Sequence, residues 1–199
     1  MRRSISAMAC LVAVVLLCAS PAMADGQEGG AHSNVVQAVN SDPTNPVVRT
    51  RSVVAFDSGP NVTDTNIAFA RSHDCTGCRT VAVAVQVVVV EGTPSNYQPQ
   101  NAAVSVNENC QSCQTFAYAH QYVIQTSHDY GYQDDGNDQL WSIQSQIWRV
   151  AHSGEDFATM SSQLDQLSTE YYNAVYQSVQ NRGDSPQGSG EFRDVKEQD

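Results

Sequence analysis

Between Asn66 and Gln125 large and small residues alternate with a period of two, and the pattern is written twice. In the first copy Thr80, Ala82, Ala84, Gln86 and Val88 share one face of a strand, and Val81, Val83, Val85 and Val87 share the other. The second copy repeats the small face as Thr115, Ala117, Ala119, Gln121 and Val123. Opposite it, Phe116, Tyr118, His120, Tyr122 and Ile124 replace the valines. Such β-branched and aromatic enrichment favours strands; a helix opening at each C-x-x-C would suit the alanines but not the valine run. Asn66, Ala68, Cys75 and Cys78 recur as Asn101, Ala103, Cys110 and Cys113, so matched residues stand 35 apart, which reads as a tandem duplication. Each copy (66–90 and 101–125) therefore predicts an antiparallel hairpin: a short strand, a turn carrying C-x-x-C, and a long strand. Small side chains along one face let another layer approach closely.

The flanking segments complete an α+β expectation. Val35 to Val39 is expected to pair with Val47 to Phe56 across the turn at Asp42-Pro43-Thr44-Asn45-Pro46. The run from Asn34 to Asn40 also echoes Asn101 to Asn107, a candidate third, partial copy of the strand. After a polar loop, Leu140, Ile143, Ile147, Val150 and Ala151 recur at helical spacing beside Trp141 and Trp148, and Gly154 closes the helix. Met160, Leu164, Leu167, Tyr171, Val175 and Val179 mark a second helix. The short link makes them an antiparallel pair (138–180) covering the hairpins. One domain over 34–180 is expected, with a flexible segment at 25–33 and a disordered tail at 181–199 that lacks periodicity.

Residues 1–24 have the form of an export signal: Arg2 and Arg3, an apolar run from Ala7 to Ala19, and Ala22-Met23-Ala24 as a small-x-small cleavage site. No stretch is long enough to span a bilayer, so no membrane insertion is expected after cleavage. Cleavage removes two arginines and no acid, moving the formal charge from −11 to −13. That acidity argues against nucleic acid and against anionic lipid, both of which need clustered Lys and Arg. Solubility outside the cell accounts for such a charge.

The four cysteines outside the leader, Cys75, Cys78, Cys110 and Cys113, carry the candidate chemistry. In an oxidising compartment an even count favours disulfides, either between the copies or within each motif. A bridge between Cys75 and Cys110 would add about 4 kcal/mol on a chain-entropy argument. Two C-x-x-C turns also suit a structural zinc held by four thiolates, with no position left for catalysis. A redox dithiol is the third reading, but it wants its first cysteine at a helix N-terminus, where the dipole lowers the thiol pKa.

Other signals are weaker. His73 beside Cys75 is a candidate ligand, yet its counterpart in the second copy is Glu108. His120 sits in the aromatic row and reads as a packed or surface histidine. Ser127-His128-Asp129 holds the letters of a hydrolase triad, but adjacent residues cannot adopt that geometry. Phe116, Tyr118 and Tyr122, with Tyr97, Tyr130 and Tyr132 in flanking loops, form a candidate binding face for a glycan or an envelope protein; packing under the helices is the competing role.

The duplicated pattern, Asn66-x-Ala68 with Cys75-x-x-Cys78-x-Thr80-x-Ala82-x-Ala84-x-Gln86 and its second copy, resembles a family of exported actinobacterial proteins with no assigned activity. It is also similar to the extracytoplasmic C-terminal region of membrane proteins labelled putative peptide zinc metalloproteases. The likeness runs from about Asn34 to Val179. Peptidase activity does not transfer, because this chain has neither the membrane core nor the metal-binding motif. The resemblance implies a place outside the membrane and association with an envelope system. Two functions follow as expectations: a non-enzymatic, cysteine-braced structural or interaction module, and an extracytoplasmic thiol–disulfide redox protein.

Overall fold

In a computed structural model, which describes residues 32–127, 138–183 and 186–199, the chain winds as a parallel β-solenoid covered by two helices. Its first coil contains β1 (Ser33–Asn40), β2 (Val47–Ser58) and the short β3 (Asn61–Val62). The second contains β4 (Thr65–His73), β5 (Arg79–Glu91) and β6 (Asn96–Tyr97), and the third β7 (Gln100–Glu108) and β8 (Gln114–Thr126). Helices α1 (Asp138–Ala151) and α2 (Phe157–Asn181) follow, then a last strand, β9 (Gly188–Gln198). The strands stack as β1-β4-β7, as β2-β5-β8-β9 and as β3-β6, all parallel except β8 with β9.

The α+β class holds, but the antiparallel hairpins do not. Each C-x-x-C turn is a corner between two sheets: β4 lies in one and β5 in the other, and β7 and β8 repeat this. The 35-residue spacing is the register itself, with Asn66 beside Asn101 and Thr80 beside Thr115. Alternation records which side of a strand is buried and says nothing about strand direction. Likewise β1 pairs with β4 rather than β2, and β2 with β5. The echo in Asn34–Asn40 has a structural counterpart, since Asn34 stands beside Asn66.

Parallel stacking sets like residues side by side, and the buried polar ones bond to each other. Asn34 donates its amide to Asn66 (2.8 Å), and Asn66 donates to Asn101 (2.7 Å). Gln121 donates to Gln86 (2.8 Å). The inner rungs, Asn34, Asn66, Gln86 and Gln121, are buried, so each amide replaces solvent for its neighbour, while Asn101 at the end of its ladder is half-buried.

Three layers result. Ala38, Ala68, Ala70 and Ala103 of the first sheet meet Ala82, Ala84, Ala117 and Ala119 of the second, and only small side chains allow that approach. The other face of the second sheet, with Val81, Val83, Phe116 and Tyr118, packs under Ile143, Ile147, Met160 and Leu164. Strand β5 is thus covered on both faces, which is why it reads as an apolar run from Val81 to Val90 broken only by Gln86. α1 buries Leu140, Ile143, Ile147 and Ala151 of its predicted stripe, with Val150 partly buried, and α2 buries its whole stripe. Asp156 caps α2 by accepting from the Thr159 amide (2.9 Å). Among the described residues no helix is long and apolar enough to cross a membrane.

The tail expected to be disordered forms β9, paired antiparallel along β8 from Gln125↔Gly188 to Thr115↔Gln198. Without it β8 would end the stack with a row of open backbone groups, and pairing with those groups requires no apolar periodicity. Its side chains also reach β7: Asp194 accepts from the Ala103 amide (2.9 Å) and Gln198 from that of Asn107 (2.6 Å). At the opposite end, side chains cover the edge of β2. The carbonyls of Val48, Ser52 and Phe56 meet Arg49 (3.0 Å), Gln144 (3.2 Å) and His32 (3.0 Å).

Candidate functional site

The four cysteines meet at one corner of the solenoid. The turns that carry them stack strand-fashion: Asp74 N–H donates to Glu108 O (3.0 Å), Gly77 N–H to Gln111 O (2.8 Å), and Gln114 N–H to Cys78 O (2.8 Å). Both turns take left-handed backbone at the same two places, Asp74 (φ 52°) with Asn109 (φ 50°), and Gly77 (φ 75°) with Ser112 (φ 53°). Asp, Asn and Gly tolerate that region, and Ser112 adopts it at some cost in strain. The kink before each cysteine sends its sulfur into the corner. Asn109 ties the two kinks by donating to Asp74 (3.1 Å).

Cys75 and Cys78 are joined by a disulfide, while Cys110 and Cys113 are thiols. Cys75 Sγ lies 3.4 Å from Cys110 Sγ and 3.5 Å from Cys113 Sγ. Cys78 and Cys113 are almost fully buried, and Cys110 is partly open. Burial pushes the Cys110 thiol up, as does its hydrogen bond with Cys113. The sequence left bridging open between and within motifs; the bond seen is within the first motif, and the copies touch through stacked sulfur. Sγ atoms of Cys75, Cys110 and Cys113 lie within 4.8 Å of one another, a cluster that could hold a metal ion with Cys75 released from its disulfide. Neither motif opens a helix, so the dipole that activates a redox dithiol is missing at both.

The candidate binding face of Phe116, Tyr118 and Tyr122 is a core layer instead. The three are 0%, 0% and 4% exposed beneath α2. Phe116 stacks on Phe157 and Tyr122 on Tyr172, at 5.0 and 4.8 Å between ring centres. Aromatic rings facing a helix pair bury far more area there than on a surface. Tyr118 Oη bonds Asp165 (2.9 Å) and His120 Nδ1 (2.8 Å), and His120 Nε2 meets Glu191 of β9 (2.8 Å). Burial pushes His120 down from its ordinary value. His73 pairs with the exposed Asp74 (3.1 Å) and stands outside the sulfur cluster. Tyr97 is 41% exposed beside a cleft of about 360 Å³ that Phe192 also lines. His128, Asp129, Tyr130 and Tyr132 fall outside the described residues.

Two groupings escaped the sequence reading. Asp57 and Asp64 are buried together, with His32 Nε2 3.3 Å from Asp57 Oδ1 and His32 N–H donating to Asp64 (3.1 Å). No spacing connects these three, which only the winding of the first coil brings together. Trp141 and Trp148 are the other case, 63% and 52% exposed on α1. Here a signal existed, because helical spacing sets both opposite Ile143 and Ile147. Comparison with protein-family models, with curated proteins and with solved structures finds no match to this chain.

Proposed function

We propose that this protein is a secreted, non-enzymatic module of the cell envelope, a short β-solenoid braced by sulfur at one corner. The observation that carries the reading is the stack of two C-x-x-C turns, with four sulfurs gathered where adjacent coils hydrogen-bond. A Cys110 thiol raised by burial and set at a strand corner is a poor nucleophile, which favours architecture over turnover. The export-type leader and the likeness to exported proteins support the location.

The cluster of Cys75, Cys110 and Cys113 favours a second reading of the same brace, a structural zinc that these three would hold with Cys78 as fourth ligand once the Cys75–Cys78 bond is reduced. Four thiolates would complete a tetrahedral shell and leave no open position, so the role stays architectural. Tryptic mapping without reduction separates the two. Arg71 and Arg79 bracket both cysteines of the first motif, so peptide Ser72–Arg79 should emerge two hydrogens lighter than its dithiol form. A cross-link from that peptide to the one carrying Cys110 and Cys113 would show bridging between coils. One zinc per chain with four alkylatable thiols would replace the disulfide by the metal. Fast exchange with glutathione in the native fold would sink the architectural reading and favour the redox alternative.

A further inference from the structure

Cys75 is the sulfur on which the corner converges. It is bonded to Cys78, yet it also lies 3.4 Å from Cys110 Sγ and 3.5 Å from Cys113 Sγ. The sulfurs of Cys75, Cys110 and Cys113 form one close group that Cys78 does not join, so the two thiols crowd Cys75 rather than its bonded partner. The backbone holds them there. Thr76 and Gln111 are bridged in parallel, and the Gln111 N–H donates to Cys75 O (3.2 Å). A thiol fixed beside a disulfide needs no outside reagent for sulfur exchange, because proximity takes the place of concentration. Even a thiol that is a poor nucleophile toward other molecules gains this advantage.

Cys110 is the nearer of the two thiols and is partly open, whereas Cys113 is 1% exposed. Cys110 can therefore pass its proton to water. We infer that the Cys75–Cys78 disulfide exchanges with the Cys110 thiol, so that the corner alternates between a clip inside one turn and a staple between two coils. The device rests on the sulfur brace proposed above. In the step, Cys110 loses its proton and its sulfur bonds to Cys75 Sγ. The Cys75–Cys78 bond breaks, its electron pair leaves on Cys78 Sγ, and Cys78 takes up a proton. One disulfide and two thiols stand on each side, so neither oxidant nor reductant is consumed. The two forms restrain the chain differently. The clip joins cysteines 3 apart in sequence and the staple joins cysteines 35 apart, and closing the longer loop removes more freedom from the unfolded chain. The staple also leaves as thiols Cys78 and Cys113, each 1% exposed, where the clip leaves Cys110 partly open.

That difference in access supplies the test. The full chain is held without added thiol, quenched in acid, alkylated after denaturation and digested with trypsin. The staple then appears as a cross-link between peptides Ser72–Arg79 and Thr80–Arg149, and the clip as a bond inside the first. Both should be found, in a ratio independent of protein concentration. Native protein treated with N-ethylmaleimide should be drained into the clip, because alkylation of Cys110 traps that form; the cross-link should disappear as Cys110 is modified. Cys110→Ser should abolish the cross-link and Cys113→Ser should retain it. A cross-link that persists unchanged in N-ethylmaleimide would mean two static forms and overturn the exchange. So would its absence from the wild-type chain, while an intact Cys75–Cys78 bond in that sample leaves the brace standing. A cross-link kept in Cys110→Ser but lost in Cys113→Ser would overturn the assignment to Cys110. One zinc with four alkylatable thiols would remove the disulfide and the exchange together.

Discussion

Asn66 is the middle rung of the asparagine ladder and is fully buried. Its Nδ2 donates to Asn101 Oδ1 (2.7 Å) and Ala84 O (3.2 Å), and its Oδ1 accepts from Asn34 Nδ2 (2.8 Å). Asn66→Ala deletes all three bonds. Asn34 keeps a partner in Val85 O (3.1 Å), but the Ala84 carbonyl and Asn101 Oδ1 each lose a donor. Stranding a buried polar group costs about 1–3 kcal/mol, and the emptied volume adds to it, so a loss of about 3–5 kcal/mol is expected. That is a large fraction of ordinary domain stability, about 5–15 kcal/mol. Asn101 is half-buried at the end of the ladder, where water can replace a lost partner, and Asn101→Ala should cost about 1–2 kcal/mol. Asn66→Asp should be worse than Asn66→Ala, since it keeps the acceptor, removes both donations and buries a charge. Urea unfolding of the four proteins at fixed pH reads the order directly, with unchanged slope as the sign that compactness is the same. A loss below about 1 kcal/mol for Asn66→Ala, or equal losses at Asn66 and Asn101, would refute the view that an unhydrated amide ladder couples the coils.

Removing residues 186–199 should expose the full edge of β8 and produce self-association in size-exclusion chromatography; a monomeric product of unchanged stability would show that β9 does not protect the stack. Tyr118→Phe removes an Oη bonded to His120, Asp165 and Ser168, and should cost about 1–3 kcal/mol in urea unfolding. Burial beside Asp57 pushes Asp64 up to about 8, so the fold holds a proton that the unfolded chain releases near the ordinary carboxylate value, and stability should fall as pH rises from about 4 to 8. His32, raised by its contact with Asp57, acts in the same direction: its contribution is complete below about 6.5 and is lost as pH rises through its folded value. Thermal midpoints should therefore drop between pH 5 and pH 8, and less so in Asp64→Asn; a wild-type midpoint that is flat or rising over that interval would refute the assignment.

Much of this architecture was legible because burial is written locally. The stripe of Leu140, Ile143 and Ile147 and the alternation from Thr80 to Val88 placed helices and strands where they stand. The aromatic row illustrates the limit. Phe116, Tyr118 and Tyr122 read equally as a surface or as a floor for helices, and only the packing of α2 against β8 decided it. Trp141 and Trp148 were noted beside the apolar stripe without regard to the side they faced.

The chain by itself determined the period, the strand segments, the helix pair and the gathering of chemistry into two C-x-x-C turns, since each depends on side chains spaced along one element. Tertiary structure decided that the strands run parallel, that β9 closes the stack, and that the sulfurs of successive coils lie 3.4 Å apart. Those choices are made by backbone hydrogen bonds between distant segments. Every residue but proline carries the same backbone donor and acceptor, so the bonding leaves almost no mark on the pattern of side chains.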